Sequence, residues 1–206
     1  TFKRDGRYDE DALKKINWIM RDWRKEQGIK MDPHAIDLLW EVQNEVGAKS
    51  PIHIVCGYRS PETNNMLPRR SKGVARFSQH TLGKAIDFFI PGVPVEQIRN
   101  AALRLQGGGV GYYPTSGSPF VHLDVGSVRH WPRMTREQLV KVFPNGRTVH
   151  VPTDGNPLPG YELALADIER GQARHPAAQP SRNLFAALFG SGGTQDSEET
   201  GDAAAE

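Results

Sequence analysis

The chain has 206 residues, 37% of them hydrophobic and 24% charged, the balance of a soluble globular protein with room for one domain and its core. No run approaches the roughly 20 apolar residues of a membrane span, and one cysteine, Cys56, excludes an internal disulfide and a multi-cysteine zinc site. The net charge of +2 is unevenly placed: from Asp154 onward three arginines face nine acidic side chains, which leaves 23 basic against 15 acidic residues before that point. A basic folded part with an acidic tail suits an anionic partner such as nucleic acid, a cell-wall polymer or a membrane surface.

The chain opens on Thr1 without a leader, as expected of a processed form whose export signal has been removed. Leu13, Ile16, Ile19, Met20 and Trp23 recur at helical spacing and predict a helix over Asp9–Gln27, with Gly28 as its stop. Asp32 as N-cap and Pro33 behind it open a second helix, with Ile36, Leu39, Trp40 and Val46 on its apolar face. The tryptophan and methionine stripes read as core. "IHIVCGY" (Ile52 to Tyr58) is a β-rich run in which Cys56 reads as a small buried hydrophobe. A short helix follows over "SPETNNML", then a basic surface loop from Pro68 to Phe77. Lys84–Ile90 predicts a strand ended by Pro91-Gly92, and Pro94–Leu105 a helix. "GGGVGYY" and "FVHLDVG" predict two more strands, Thr135–Phe143 a short helix, and "RTVHV" a last strand.

The pattern is α+β: N-terminal helices, then a small, mostly antiparallel sheet with helices packed on it. One domain is expected over residues 1–152. Residues 153–206 are rich in Pro, Gly and Ala and are expected to be mostly disordered, with a short helix at 182–190.

Three polar residues stand in strand contexts that favour apolar ones. His80 precedes a strand, Asp87 lies inside it, and His122 lies inside another. A carboxylate beside Phe88, Phe89 and Ile90 needs a partner, and a cation would serve. Two histidines and an aspartate are the donors of a catalytic zinc site, which keeps one position for water. Gly83 permits a tight turn between His80 and Asp87. Strand alternation puts His122 and Asp124 on one face, and Arg59, just past a strand end, can aim a guanidinium at a carboxylate or oxyanion.

The stretches "HIVCGYRSPETNNML", "SQHTLGKAIDF" and "FVHLDVG" resemble the zinc peptidases related to D-Ala-D-Ala carboxypeptidases and the hedgehog signalling domain. Within that group the chain is most similar to the MepK-type murein endopeptidases, over roughly Arg4 to Trp131, with "GVGYYP", "IPGV" and "VRHW" extending the likeness. The pattern Ser-x-His-x-x-Gly-x-Ala-x-Asp is complete at Ser78, His80, Gly83, Ala85 and Asp87. The resemblance implies Zn2+ held by His80, Asp87 and His122, with Arg59 binding substrate or stabilising the transition state. It implies hydrolysis of the peptide cross-links of peptidoglycan, hence a periplasmic or extracellular location. Carboxypeptidases of the group carry a general-base Glu three residues before the last His, where Pro119 stands. Lysostaphin-like relatives carry a His two residues before it, where Phe120 stands. Asp124 is then the candidate proton acceptor or, equally, a partner that orients a ligand His. His130 is the second candidate acceptor. Tyr112 and Tyr113 are candidates for an aromatic substrate wall, and the basic loop could contact the anionic polymer.

Three rival readings remain. His122-x-Asp124 with His130 or His150 fits a two-His-one-carboxylate iron centre, but that requires more strands than the sequence supplies. A D,D- or L,D-carboxypeptidase would use the same ligands to trim stem peptides. A cell-wall binding module would keep the fold without the chemistry.

Overall fold

The structure is a computed structural model and describes residues 2–66 and 78–174. The expected basic loop and the helix at 182–190 lie outside the described residues. The architecture is α+β, built on a five-stranded mixed sheet. A two-stranded hairpin, β1 (Lys3–Arg4) and β2 (Arg7–Tyr8), opens the chain. Helices α1 (Glu10–Ile19) and α2 (Pro33–Glu45) follow. Asp9 caps α1 by accepting from the Asp11 and Ala12 amides, and Asp32 caps α2 through the His34 amide.

The helix expected to reach Gln27 stops at Ile19. Tertiary bonds take over there: the Met20 carbonyl accepts from the Tyr58 amide at 2.6 Å, and the Asp22 carboxylate accepts from the Ser60 amide at 2.9 Å. Trp23 therefore leaves the helical stripe. Ile19, Trp23 and Trp40, expected in the core, are 63%, 59% and 53% exposed; Arg24 stacks on Trp23, and Arg21 on the exposed Trp18.

The sheet contains β3 (His53–Cys56), β4 (Ala85–Phe89), β5 (Gly109–Tyr113), β6 (Phe120–Asp124) and β7 (Arg129–Trp131). Their order is β3-β4-β6-β5-β7; all pairs are antiparallel except β5–β7, which is parallel. Short α3 (Pro61–Met66) and a 3-10 turn (Gln79–Leu82) lie between β3 and β4, and α4 (Val95–Leu105) lies between β4 and β5. One sheet face is apolar. Ile86, Phe88, Val110, Val121 and Leu123 are fully or nearly fully buried with Ile36, Leu39 and Val42 of α2 and Ile98, Ala101 and Ala102 of α4. Each large side chain buried this way contributes about 1.5–3 kcal/mol. That leaves the opposite face for polar chemistry.

After the sheet come α5 (Arg136–Val142), with a capping box at Thr135 and Gln138, and α6 (Tyr161–Arg174). "RTVHV" forms no strand: His150 is buried, and Val149 donates its amide to Gln106 Oε1 rather than to a neighbouring strand. Residues 153–174, the described part of the segment expected to be mostly disordered, are ordered and carry α6. Leu158 and Ala164 are buried, and Arg147 pairs with Asp167 at 2.7 Å. A proline- and glycine-rich composition does not register these few anchors, which tie the segment back to the domain.

Candidate metal centre

Antiparallel register decides what meets on the polar face. Asp87 lies opposite His122, Ala85 opposite Asp124, and Gly111 opposite His122 on its other side. His80 comes from the 3-10 turn before β4. Ser78 caps that turn by accepting from the His80 amide at 3.3 Å, and Gly83 closes it with a φ of +67°, in the left-handed region.

The three donors converge. His122 Nδ1 lies 2.8 Å from Asp87 Oδ1 and 3.2 Å from His80 Nε2, and His80 Nε2 lies 3.3 Å from Asp87 Oδ2. All three residues are buried: His80 is 1%, Asp87 7% and His122 3% exposed. The far nitrogen of each ring is engaged. His80 Nδ1 bonds the Gly57 carbonyl at 2.7 Å, and His122 Nε2 bonds Asp124 Oδ2 at 3.1 Å. Those bonds place a proton on each far nitrogen and turn the lone pair of each near nitrogen toward Asp87. This is how metal-ligating histidines are oriented.

Electrostatics favour a cation here. Burial alone would raise the Asp87 pKa, but the facing His80 and His122 rings overcome it and hold the carboxyl well below the usual range. Burial opposes charge on the two rings, yet the neighbouring carboxylates raise the proton affinity of both. A divalent cation would enjoy the same field and displace those protons. The donor set therefore fits a metal ion.

The other expected site residues divide. Asp124 is 0% exposed. Its Oδ1 accepts from the Gly109 and Gly126 amides and from Arg129 Nη1, and its Oδ2 from Arg129 Nη2 at 2.8 Å and from His122. Its oxygens are fully committed, and the carboxylate stands behind His122, on the far side of the ring from the converging donors.

His130 does not join the cluster. On β7 it pairs with Val110, so alternation turns it to the helix side and turns Arg129 and Trp131 to the polar face. There His130 Nε2 accepts from the Met134 amide at 3.0 Å, and the ring meets His150 Nδ1 at 3.2 Å; His150 Nε2 in turn reaches the Leu103 carbonyl. Only one proton order satisfies this chain, with His130 donating to His150 and both rings neutral. Burial, with Arg133 and Arg99 nearby, lowers the His130 pKa to about 4; burial and His130 lower that of His150 to about 3.

Tyr112 also faces the helix side, where Arg99 of α4 stacks on its ring at 4.2 Å, so it is not a wall of this site. Tyr113 is on the polar face, stacked on Phe120, and its hydroxyl accepts from Trp131 Nε1 at 2.7 Å. Arg59 lies beside the cluster, its amide bonded to the His80 carbonyl and its guanidinium donating to Ser78 Oγ at 3.2 Å.

Sequence reasoning missed Trp131, Arg129 and Cys56. The Trp131 indole lies 5.0 Å from the His122 ring and crosses Gly111, where an added Cβ would come within 2.7 Å of it. Alternation in "VRHW" would have paired Arg129 with Trp131 had that run been read as a strand. Cys56 is half-buried on the polar face, not a core hydrophobe.

Two buried histidines, each ring bonded from behind, and a buried aspartate converge beside the polar sheet face, and their donor set is of the metal-binding class. The family model described as peptidoglycan L,D-endopeptidase MepK matches residues 1–131, and the chain belongs to that family. It is 47% identical over 128 residues to peptidoglycan L,D-endopeptidase MepK of Escherichia coli K12, covering 62% of this chain and 69% of that protein. The Shigella flexneri protein of the same name gives the same figures. The Haemophilus influenzae protein, named a probable enzyme of this kind, is 48% identical over 120 residues, 58% of this chain and 63% of its own. No solved structure gives a significant match. The match ends at Trp131, so α5, α6 and the partner of His130 lie beyond it.

Proposed function

We propose that the chain is a zinc-dependent peptidoglycan endopeptidase that cleaves peptide cross-links. The observation that carries this reading is the convergence of His80 Nε2, Asp87 and His122 Nδ1 within 3.3 Å, each ring bonded from behind. Membership of the family supports the substrate. His80, Asp87 and His122 would hold the zinc, which supplies a water acidified to near neutrality and polarises a carbonyl.

The chain's own residues do the rest. Asp124 keeps His122 in the tautomer whose Nδ1 lone pair is open, and Arg129 keeps Asp124 ionised. Burial would raise the Asp124 pKa; His122 and Arg129 overcome it and hold the carboxyl well below the usual range. Ser78 ties the Arg59 guanidinium to the turn that carries His80, so the cation stands at a fixed place beside the cluster. There it can meet a stem-peptide carboxylate or a developing oxyanion. Trp131, braced by Tyr113, walls the His122 side and keeps bulk water from it. A peptidoglycan substrate places the active protein in the periplasm or outside the cell. None of the described helices is long and apolar enough to cross a membrane.

Digestion of purified cross-linked peptidoglycan, followed by muropeptide chromatography, tests the reading. Zinc-loaded protein should convert cross-linked dimers to monomers, and His122→Ala should not. Dimers left intact by zinc-loaded protein would sink the endopeptidase reading. Release of single terminal amino acids alone would instead assign a carboxypeptidase.

A further inference from the structure

We infer that Cys56 is a fourth ligand of the metal centre, a thiolate that closes the coordination sphere of the resting enzyme. This rests on the metal reading above and goes beyond its three donors. Cys56 Sγ, a ring nitrogen of His80 and a carboxylate oxygen of Asp87 all lie within 4.8 Å of one another. His80 and Asp87 thus belong to two overlapping triads, one completed by His122 and one by Cys56.

A backbone irregularity puts the sulfur there. Along β3–β4, His53 pairs with Phe89 and Ile54 with Phe88, but Cys56 pairs with Asp87. In unbroken register Asp87 would face Val55, and Cys56 would point with Ile86 into the core. The extra residue between Ile54 and Cys56 re-aims the cysteine onto the polar face, as bulges beside active sites do. Gly57, next in the chain, bonds His80 Nδ1 through its carbonyl, so the turn that presents Cys56 also orients the ligand His. Cys56 also lines a cavity with Trp23, Val55 and Arg59.

The chemistry is that of a soft donor added to two nitrogens and an oxygen. Thiolate favours zinc and similar thiophilic cations over magnesium or calcium. Four protein ligands are the pattern of a closed zinc site, whereas a catalytic one keeps the fourth place for water. Bound Cys56 would occupy that place, so water or substrate must displace it before hydrolysis.

X-ray absorption at the zinc edge of the full-length zinc-loaded protein tests this. The wild type should show one sulfur at about 2.3 Å with nitrogen and oxygen neighbours at about 2.0 Å. Cys56→Ser should keep one zinc per chain and lose the sulfur shell completely, and its turnover on cross-linked peptidoglycan should exceed that of the wild type. A wild-type shell of nitrogen and oxygen alone, at stoichiometric zinc, would overturn the inference and leave the three-ligand reading standing. A sulfur shell with turnover no higher in Cys56→Ser and Cys56→Ala would overturn the closing role. Zinc bound by neither protein would overturn the metal centre and this inference together. Cobalt substitution gives a second readout that needs no variant, a thiolate-to-metal charge-transfer band that must appear if Cys56 binds.

Discussion

Replacing Asp124 with Asn separates the two roles open to this residue. The carboxylate accepts from Gly109 and Gly126 amides on Oδ1, and from His122 Nε2 and Arg129 Nη2 on Oδ2. In the Asp124→Asn variant the amide oxygen would stay with the two backbone donors, which turns the NH2 group toward His122 and Arg129. His122 Nε2 must then accept, and its proton moves to Nδ1, the nitrogen that faces Asp87. Changing an outer partner of a ligand His typically lowers metal affinity 10–100-fold, or about 1.4–2.7 kcal/mol. The NH2 group would also face the Arg129 guanidinium, donor against donor, which should cost the fold about 1–3 kcal/mol more. The assay is a zinc titration against a chromophoric chelator at neutral pH, then turnover on cross-linked muropeptides at saturating zinc. We expect a Kd raised 10–100-fold and turnover largely restored by excess zinc. Unchanged zinc affinity with turnover lowered by about 10²–10⁴ would mark Asp124 as the proton acceptor and refute the orienting role.

His80→Ala and Asp87→Ala should each lose bound zinc and hydrolysis together, read by metal analysis of the purified variants; wild-type occupancy in both would refute the ligand assignment. Because the His80 and His122 rings have raised proton affinity, protons compete with the metal through neutral pH, and zinc affinity should rise steadily from about pH 6 to 8. The His130–His150 pair carries pKa shifts of the opposite sign, and these act on the stability of the fold. Its folded pKa values of about 4 and about 3 lie below the ordinary 6.5, so the unfolded chain binds more protons between them. That stability is fully present above about pH 6.5 and lost as pH falls toward 4, about 3 kcal/mol for His130 alone. Urea midpoints measured across that range should fall with acid, and less steeply in His150→Leu. Gly111→Ala drives a methyl to within 2.7 Å of the Trp131 indole and should cost about 1–3 kcal/mol and lower turnover, checked by urea melts and muropeptide assay.

Much of the donor set was legible because it is local. His80, Gly83 and Asp87 lie within one turn and one strand, and the carboxylate stood out among aromatic neighbours whatever its distant partners were. The capped starts of α1 and α2, the strand of β4 and the polar alternation of β6 were readable for the same reason: short-range periodicity and cap chemistry decide them. Pairing between strands far apart in the chain settled the rest. Register alone sends His130 and Tyr112 to the helix side and brings Trp131 over His122. The end of α1 is set by bonds that the Tyr58 and Ser60 amides donate to the Met20 carbonyl and the Asp22 carboxylate, invisible to helical periodicity. A single extra residue in β3 turns Cys56 from core to site, because strand side chains alternate with a period of two and one inserted residue reverses every face beyond it. The sequence by itself thus determined which residue types could hold a cation. Which of them share a face, and what stands behind each, was decided by long-range register that local pattern does not encode.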